Sequence, residues 1–230
     1  MTVQNCGRTL TFDRPPSRVV VSFQPTLETL ICLGVGDRVI SRTGSLEHLG
    51  EAGFLPGQEN IAKSIPEVSN TTSHPSKESL LALEPDFVFG MSYTDFDSAK
   101  GLATVEELND TGIAVFIPSN WCDPASVENF DVTSTLDDIR NLGKIFDVND
   151  QADKLASDLE ARLADVQERF KDQPTVRVMT PDAGNEVFYA LGKPWATTSS
   201  AWPSARCVRR RRRVRRGQCR GGGSTSSCRQ

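Results

Sequence analysis

One long amphipathic segment, residues 149–171, constrains the fold of this chain more than any other part of its sequence. Its apolar residues recur every three or four positions, which places them on one face of a helix. They are Ala152, Leu155, Ala156, Leu159, Leu163, Val166 and Phe170. Asn149 suits the N-cap, and Pro174 ends the segment. At about 1.5 Å per residue this helix is roughly 35 Å long, so we predict that it is a backbone joining two lobes.

Before this helix, the sequence alternates between two patterns. Short runs of β-branched and aromatic residues are typical of strands buried in a parallel sheet, and amphipathic runs separate them. Predicted strands are 9–12, 18–22, 38–41, 86–90 and 113–117, and predicted helices are 25–34, 76–83, 98–111 and 132–146. Residues 44–75 are predicted to be irregular. The alternation predicts an α/β fold with a parallel-sheet lobe ahead of the long helix.

After the long helix, the α/β pattern continues only briefly. Residues 175–180 predict a strand and residues 186–192 a hairpin, but from residue 193 onward there is no Leu, Ile or Phe. We therefore predict an incomplete second α/β lobe and a tail that cannot form a core. The predicted parts are an N-terminal lobe (1–145), a backbone helix (146–173), the start of a C-terminal lobe (174–194) and a disordered basic tail (195–230).

Charge is divided unevenly along the chain. Ten of the 26 Lys and Arg residues lie in 206–230, which holds no acid; the other 16 are outnumbered by all 30 acids, so residues 1–205 carry a net charge of −14. Arg, Gly, Ser and Cys in irregular order, with aliphatic residues suddenly lost, are typical of a shifted reading frame in GC-rich coding DNA. We favour this interpretation over a genuine basic tail that binds nucleic acid or anionic lipid.

The motifs of common enzymes are missing from the sequence. Gly34 and Gly36 end a predicted helix instead of following a strand, so they do not form a dinucleotide fingerprint. His48 and His74 have no partner at a metal-ligand spacing. Because no P-loop, nucleophile elbow or zinc pattern appears, we predict no enzyme, no cofactor and no bound metal.

Four segments resemble, in order and spacing, the substrate-binding proteins of ABC importers for ferric siderophores, haem and cobalamin, in the class with a helical backbone. They are NCGRTLTFDRPPSRVV (5–20), QPTLETLICLGVGDRVI (24–40), SKESLLALEPDFVFG (76–90) and DIRNLGKIFDVNDQADKL (138–155). The resemblance covers about residues 3–192 and implies two α/β lobes with a ligand cleft between them. It also implies a place in the periplasm or on the outer face of the cell membrane, often with a lipid anchor.

The sequence departs from this family in two respects. It has no signal peptide or lipobox at its start, and the second lobe is expected to continue for about a hundred residues beyond 192. Since each lobe supplies about half of the cleft, we expect the chain as written to be impaired and to bind its ligand weakly.

The resemblance implies a receptor for a metal chelate, first of all a ferric siderophore, that delivers it to the membrane subunits of an ABC permease. Ligand contacts are expected from loops at the carboxyl ends of the strands. The candidates are Ser22, Phe23, Gln24, Arg42, His74, Met91, Ser92, Tyr93, Asn120 and Trp121. Arg42 would pair with an anionic chelate, and the aromatic residues would contact catecholate rings.

The resemblance also carries predictions for cysteines and for docking. An exported protein retains disulfides, and Cys6 and Cys122 both lie in predicted loops, so we predict a disulfide between them. Cys32 is predicted to be a buried free thiol. Glu78 matches the acidic residue that pairs with permease arginines in this family; the alternative is a first-turn glutamate that only favours the helix dipole.

Two other functions remain open from the sequence. One is a nucleic-acid-binding protein that uses the arginine-rich tail, for which binding would fall steeply with salt. The other is a chelatase-like enzyme on the same two-lobed fold, although no catalytic set is visible. The receptor interpretation expects no nucleic-acid partner.

Overall fold

A computed structural model describes residues 1–44, 46, 57–69 and 74–174, and the backbone of four short strands beyond them. At its centre is a five-stranded sheet in the order β5-β4-β3-β6-β7, in which every neighbouring pair is parallel. The strands are β3 (Val19–Val21), β4 (Val39–Thr43), β5 (Glu67–Ser69), β6 (Phe87–Phe89) and β7 (Ala114–Phe116). The predicted α/β fold is thereby confirmed.

The central strands are buried on both faces, as their uninterrupted apolar sequences require. Successive side chains point to opposite faces of a sheet. Val19 and Val21 accordingly join one hydrophobic cluster with Phe87, while Val20 and Val88 join a second cluster on the other face. All five of these residues have 0% exposure.

Helices cover both faces of the sheet. They are α1 (Gln24–Cys32), α2 (Gln58–Ser64), α3 (Lys77–Leu81), α4 (Val105–Asp110), α5 (Pro124–Glu128), α6 (Val132–Phe146) and α7 (Asn149–Phe170). The predicted helix 98–111 is wrong in its first half: a short 3-10 helix at Ser98–Lys100 ends at Gly101, whose φ is +74°, and α4 begins only after a capping box at Thr104. The predicted irregular region 44–75 contains α2 and the edge strand β5.

A two-stranded hairpin precedes the sheet. β1 (Thr2–Asn5) pairs antiparallel with β2 (Arg8–Thr11) through a turn at Cys6 and Gly7, both of which have positive φ. The predicted strand 9–12 is the second arm of this hairpin, and the first arm was not predicted. The structure contains the predicted disulfide between Cys6 and Cys122, with Cα atoms 5.2 Å apart.

Helices α6 and α7 form an antiparallel pair that crosses very closely at one point. A Cβ built on Gly143 would lie 2.3 Å from the Cβ of Ala152, so only glycine fits there. Arg140 on α6 lies within 4 Å of Asp153 and Glu160 on α7. The bounds predicted for α7 agree with the structure to one residue, but Val148 and not Asn149 is the N-cap, and it makes no side-chain cap.

The apolar face predicted for α7 is covered to different degrees along the helix. Ala152 and Ala156 are buried, whereas Leu159 and Leu163 pack only partly against the core. Phe170, at the far end, is 43% exposed. Coverage of this face therefore decreases from the start of the helix to its end.

Cys32 does not have the environment that we predicted for it. Its side chain is exposed and its sulfur accepts a hydrogen bond from Gln58 Nε2 at 3.0 Å. The inward face of α1 is formed by Leu27, Leu30 and Ile31 instead. A buried thiol was wrong because Cys32 comes two residues after the buried Leu30, about 200° around the helix, and so faces away from the core.

Four short strands are described beyond residue 174. β8 (Val176–Val178) lies within the predicted strand 175–180 and pairs parallel with β11 (Ala205–Cys207). β9 (Pro181–Asp182) pairs antiparallel with β10 (Tyr189–Ala190), and the other residues of the predicted hairpin 186–192 lie outside the described part of the chain. Within the described residues, no helix combines the length and the apolar character needed to cross a bilayer.

Candidate functional site

The carboxyl ends of β3, β6 and β7 border a pocket of about 210 Å³. Ligands of open α/β sheets bind at this edge, outside the carboxyl ends of the strands. The pocket lies between the start of α1, the turns after β6 and β7, and one side of α6. Its lining residues are Pro25, Thr26, Thr29, Phe89, Met91, Pro118, Asn120, Trp121, Phe130, Thr135, Asp138, Ile139 and Leu142.

The pocket wall is mainly apolar. Phe89, Met91, Trp121 and Phe130 supply aromatic and thioether surface, and the polar groups are threonines, one amide and one carboxylate. Apolar walls with a few placed polar groups are typical of small-molecule sites. The volume is below that of a drug-sized site.

A buried carboxylate ties the turn after β3 to the turn after β6. Ser22 Oγ donates to Asp95 Oδ2 at 2.9 Å, and the Met91 N–H donates to both Ser22 Oγ (2.8 Å) and Asp95 Oδ2 (2.9 Å). The Ser92 N–H donates to the same carboxylate, and Ser92 Oγ caps the short helix Tyr93–Asp95. These bonds hold Met91 in place at the pocket wall.

Burial raises the pKa of Asp95, while the hydrogen bonds from Ser22, Met91 and Ser92 act in the opposite direction. Ser22 and Ser92 are themselves buried, whereas Tyr93 is 37% exposed at the surface of this turn. Ser22 and Ser92 therefore support the pocket from beneath, and neither lines it.

The turn after β7 is fixed to α6 by two polar pairs. Asn120 exchanges hydrogen bonds with the backbone of Asp131, at 2.8 Å in both directions. Asp138 accepts from the Ser119 N–H at 2.7 Å and from Ser119 Oγ at 2.6 Å. Burial raises the pKa of Asp138 to about 6, against the effect of both Ser119 bonds. The pairs fix the turn that carries Trp121.

Phe23 and Gln24 lie where β3 passes into α1. Phe23 adopts a left-handed φ of 67°, and its N–H donates to Thr43 Oγ1 at 3.3 Å. Gln24 Nε2 donates to Glu28 within α1. A positive φ is unusual for a bulky residue, and such backbone strain concentrates at functional sites. Both side chains are half-buried and neither lines the pocket.

Arg42 makes its polar contacts within the sheet. Its Nη1 donates to Gly44 O at 2.6 Å and to Glu67 Oε2 at 2.9 Å, so its charge is paired between β4 and β5. The residue is only 7% exposed. The structure therefore does not offer Arg42 as a free cation for an anionic ligand.

His74 is buried rather than displayed at a loop surface. It is 3% exposed and its ring lies 5.0 Å from that of Phe96. Within the described part of the chain neither ring nitrogen has a hydrogen-bond partner, and desolvation lowers the pKa of His74 to about 3. Gly90 completes this packing, because a Cβ there would lie 2.5 Å from the Phe96 ring. His74 does not line the pocket.

Three of the ten predicted ligand contacts, Met91, Asn120 and Trp121, come together in the pocket. Sequence reasoning missed its α6 wall, formed by Thr135, Asp138 and Ile139. The available signal was that the 15 residues between β7 and α6 leave β7 at this same sheet edge, so that α6 begins beside it. Within the described residues, no three His, Cys, Asp or Glu side chains are grouped as a metal site would require.

Glu78 lies away from this pocket. It is exposed in the first turn of α3, and Ser76 caps that helix by accepting from the Ser79 N–H at 3.3 Å. Its neighbour Lys77 forms an ion pair with Glu107 at 2.7 Å. The backbone position of Glu78 is thus fixed by a cap while its side chain stays accessible.

Comparison with known proteins identifies a family. A family model described as "Periplasmic binding protein" matches residues 19–199. No curated protein matches the chain.

Solved structures match across most of the chain. An ABC-type Fe³⁺-hydroxamate transport system from Saccharomonospora viridis is 26% identical, with a TM-score of 0.70 over 90% of this chain and 69% of the other. A periplasmic binding protein from Veillonella parvula is 21% identical, with a TM-score of 0.71 over 90% and 66%. The periplasmic vitamin B12 binding protein of Vibrio cholerae is 15% identical, with a TM-score of 0.61 over 84% and 66%. The chain spans about two thirds of the length of these structures.

Proposed function

This chain belongs to the periplasmic binding protein family, and from that premise we propose that it is the extracytoplasmic receptor of an ABC importer for an iron–siderophore-type chelate. The observation that carries the proposal is the apolar pocket at the carboxyl edge of the sheet. That edge is where open α/β folds bind small molecules. The wall of aromatic and thioether groups suits the organic surface of a chelate.

The similar structures support the iron-chelate class. The relative from Saccharomonospora viridis is named for Fe³⁺-hydroxamate transport, and another similar structure is a siderophore-binding protein holding ferric iron with acinetobactin. Haem-binding and vitamin B12-binding proteins share the fold as well. The family favours this receptor function over the nucleic-acid-binding and chelatase-like alternatives. The arginine-rich tail on which the former rests lies mostly outside the described residues.

A direct binding measurement tests the proposal. Isothermal titration of the 230-residue protein with a panel of ferric siderophores, haem and cobalamin should give saturable binding to at least one chelate. Met91→Ala should weaken that binding at least tenfold, because Met91 lines the pocket. Ile61→Ala, an equally apolar truncation at an exposed position on α2, should leave it unchanged. Absence of saturation by every chelate up to millimolar concentration would overturn the proposal.

We further propose that Glu78 docks on the permease. Its exposure on a capped helix is what a contact with a membrane partner requires. In a transport assay, Glu78→Ala should slow uptake and leave chelate affinity intact. Glu106→Ala removes another exposed first-turn acid, on α4, and should slow nothing. Equal transport rates for wild type and Glu78→Ala would leave only the helix-dipole role.

The division into parts is also proposed as the sequence indicates it: an N-terminal lobe of residues 1–145, a backbone helix at 146–173, the start of a second lobe at 174–194, and a tail at 195–230. A frame shift as the source of the tail is supported by its composition alone. Resequencing the gene across the codons for residues 194–206 tests it. A second reading frame that encodes alternating strands and helices supports the shift, and the absence of such a frame refutes it.

A further inference from the structure

The pocket at the carboxyl edge of the sheet carries the wrong charge for an anionic ligand. Among the residues that the structure describes, none that lines it is a Lys, Arg or His, and the one ionisable group on its wall is a carboxylate, Asp138. That carboxylate is buried, with a pKa raised to about 6, so it is mainly ionised at neutral pH. An anion brought beside it would lose hydration and would meet like charge.

Three of the cations near this edge are already paired with acids. Arg42, close to the carboxyl end of β4, is neutralised by Glu67 at 2.9 Å. Lys100 lies 3.5 Å from Asp97, and Lys77 lies 2.7 Å from Glu107. These three residues are therefore not positioned as free partners for a ligand.

The arginines that precede the strands lie at the opposite edge of the sheet. Arg18, just before β3, donates to the carbonyl oxygens of Leu83 and Glu84. Arg38, just before β4, donates to Phe146 O at 3.1 Å. Both guanidinium groups therefore donate hydrogen bonds at the amino ends of the strands, away from the pocket.

The overall charge of the chain also opposes an anionic ligand. The net charge of −14 over residues 1–205 acts in the same direction, because it repels anions at long range.

Resting on the proposed function, we infer that the chelate taken by this site carries no net negative charge. Ferric ion bound by three hydroxamates is neutral, since each hydroxamate contributes one negative charge. Ferric ion bound by three doubly deprotonated catecholates is triply anionic. The apolar wall and the Asp138 carboxylate accommodate the first and disfavour the second. This replaces the expectation that Arg42 pairs with an anionic chelate.

The test compares two probes on the full 230-residue protein by isothermal titration at pH 7.4. One probe is the iron(III) complex of a neutral cyclic trihydroxamate, and the other is an iron(III) tris-catecholate. The trihydroxamate should bind at least tenfold more tightly, with an affinity that changes little between 20 and 200 mM salt. Equal or tighter binding of the tris-catecholate overturns the inference and leaves the receptor function standing. Absence of binding to both probes, and to haem and cobalamin, overturns the receptor function as well.

A charge placed in the pocket provides the second arm. Thr135 lines the pocket from α6, so Thr135→Lys adds a cation there and should tighten tris-catecholate binding at least fivefold without tightening trihydroxamate binding. Ala161→Lys adds the same charge at an exposed position of α7, outside the pocket, and should change neither affinity. If both lysine variants behave alike, this pocket is not where the chelate binds, and the inference fails.

Discussion

Asn5 and Ile117 exchange two hydrogen bonds across 112 residues of sequence. Asn5 Nδ2 donates to Ile117 O at 2.7 Å, and the Ile117 N–H donates to Asn5 Oδ1 at 3.0 Å. The side-chain amide thus behaves like one more residue of a strand, and it joins the N-terminal hairpin to the end of β7. Pro118, the next residue, lines the pocket. The Asn5–Ile117 pair therefore fixes the backbone at that side of the pocket wall.

Asn5→Ala should lower the free energy of unfolding by about 2–4 kcal/mol, because it leaves a buried N–H and a buried C=O without partners. Urea titration followed by circular dichroism measures it. Gln4→Ala removes the neighbouring exposed amide, which bonds only Thr9, and should change stability by less than about 0.5 kcal/mol. A loss no larger for Asn5→Ala than for Gln4→Ala would show that the pair contributes nothing specific.

Reduction of the Cys6–Cys122 disulfide should destabilise the protein by about 2–5 kcal/mol, because the bond closes a long loop, with a sequence separation of 116. Urea unfolding with and without a reductant measures the difference. Cys32→Ser should retain the full sensitivity to reductant, since Cys32 is a free thiol. Peptide mapping under non-reducing conditions must recover the Cys6–Cys122 pair from oxidised protein; recovery of both as free thiols would contradict the structure.

Gly143→Ala should cost about 1–3 kcal/mol of stability even though alanine is the better helix former, because its Cβ would overlap that of Ala152. Ala152→Gly alone should cost about 1 kcal/mol through helix propensity. The double variant should recover stability relative to Gly143→Ala, since the overlap is gone. Additive losses in this double-mutant cycle would mean that α6 and α7 adjust their separation freely.

His74 should contribute an acid-dependent loss of stability. Burial lowers its pKa in the folded protein to about 3, whereas an unfolded histidine titrates near 6.5. The contribution is therefore complete above about pH 6.5 and is lost as the pH falls towards 3, amounting to about 2–3 kcal/mol at pH 4.5. His74→Leu should remove this part of the pH dependence, as urea titrations at pH 7.5 and 4.5 measure.

The only other histidine supplies the control for that experiment. His48→Leu should keep the acid-dependent loss that belongs to His74. An unchanged loss between pH 7.5 and 4.5 in His74→Leu would show that His74 is not the group that takes up the proton.

Patterns within one segment were predictable from the sequence, and pairings between segments mostly were not. The apolar period of α7 gave its bounds to one residue, and the buried runs 18–22 and 86–90 gave β3 and β6. By contrast β5 is a three-residue edge strand, Glu67–Ser69, whose pattern is too short to distinguish from a loop. Parallel pairing with β4 holds these residues in a strand.

The site was predicted in part for the same reason. Placing Met91, Asn120 and Trp121 at strand ends required only the sheet edge rule. The bonds of Ser22 to Asp95 span 73 residues, and the pairing of Arg42 with Glu67 depends on how β4 and β5 align. Such partners decide whether a polar side chain is available to a ligand or is hydrogen-bonded to other residues of the fold. No local sequence pattern reveals them.

Because α6 and α7 cross closely near the start of α7, a small change of angle at the crossing moves the far end of the long helix. The fully buried contacts of α7 lie within residues 149–156, near the point where Gly143 meets Ala152. From Ala152 to Phe170 the helix is about 27 Å long at 1.5 Å per residue, so one degree of tilt about this contact moves Phe170 by about 0.5 Å. The direction of α7 beyond this crossing therefore depends on the absence of a side chain at Gly143, and a tilt of about ten degrees there would move Phe170 by about 5 Å.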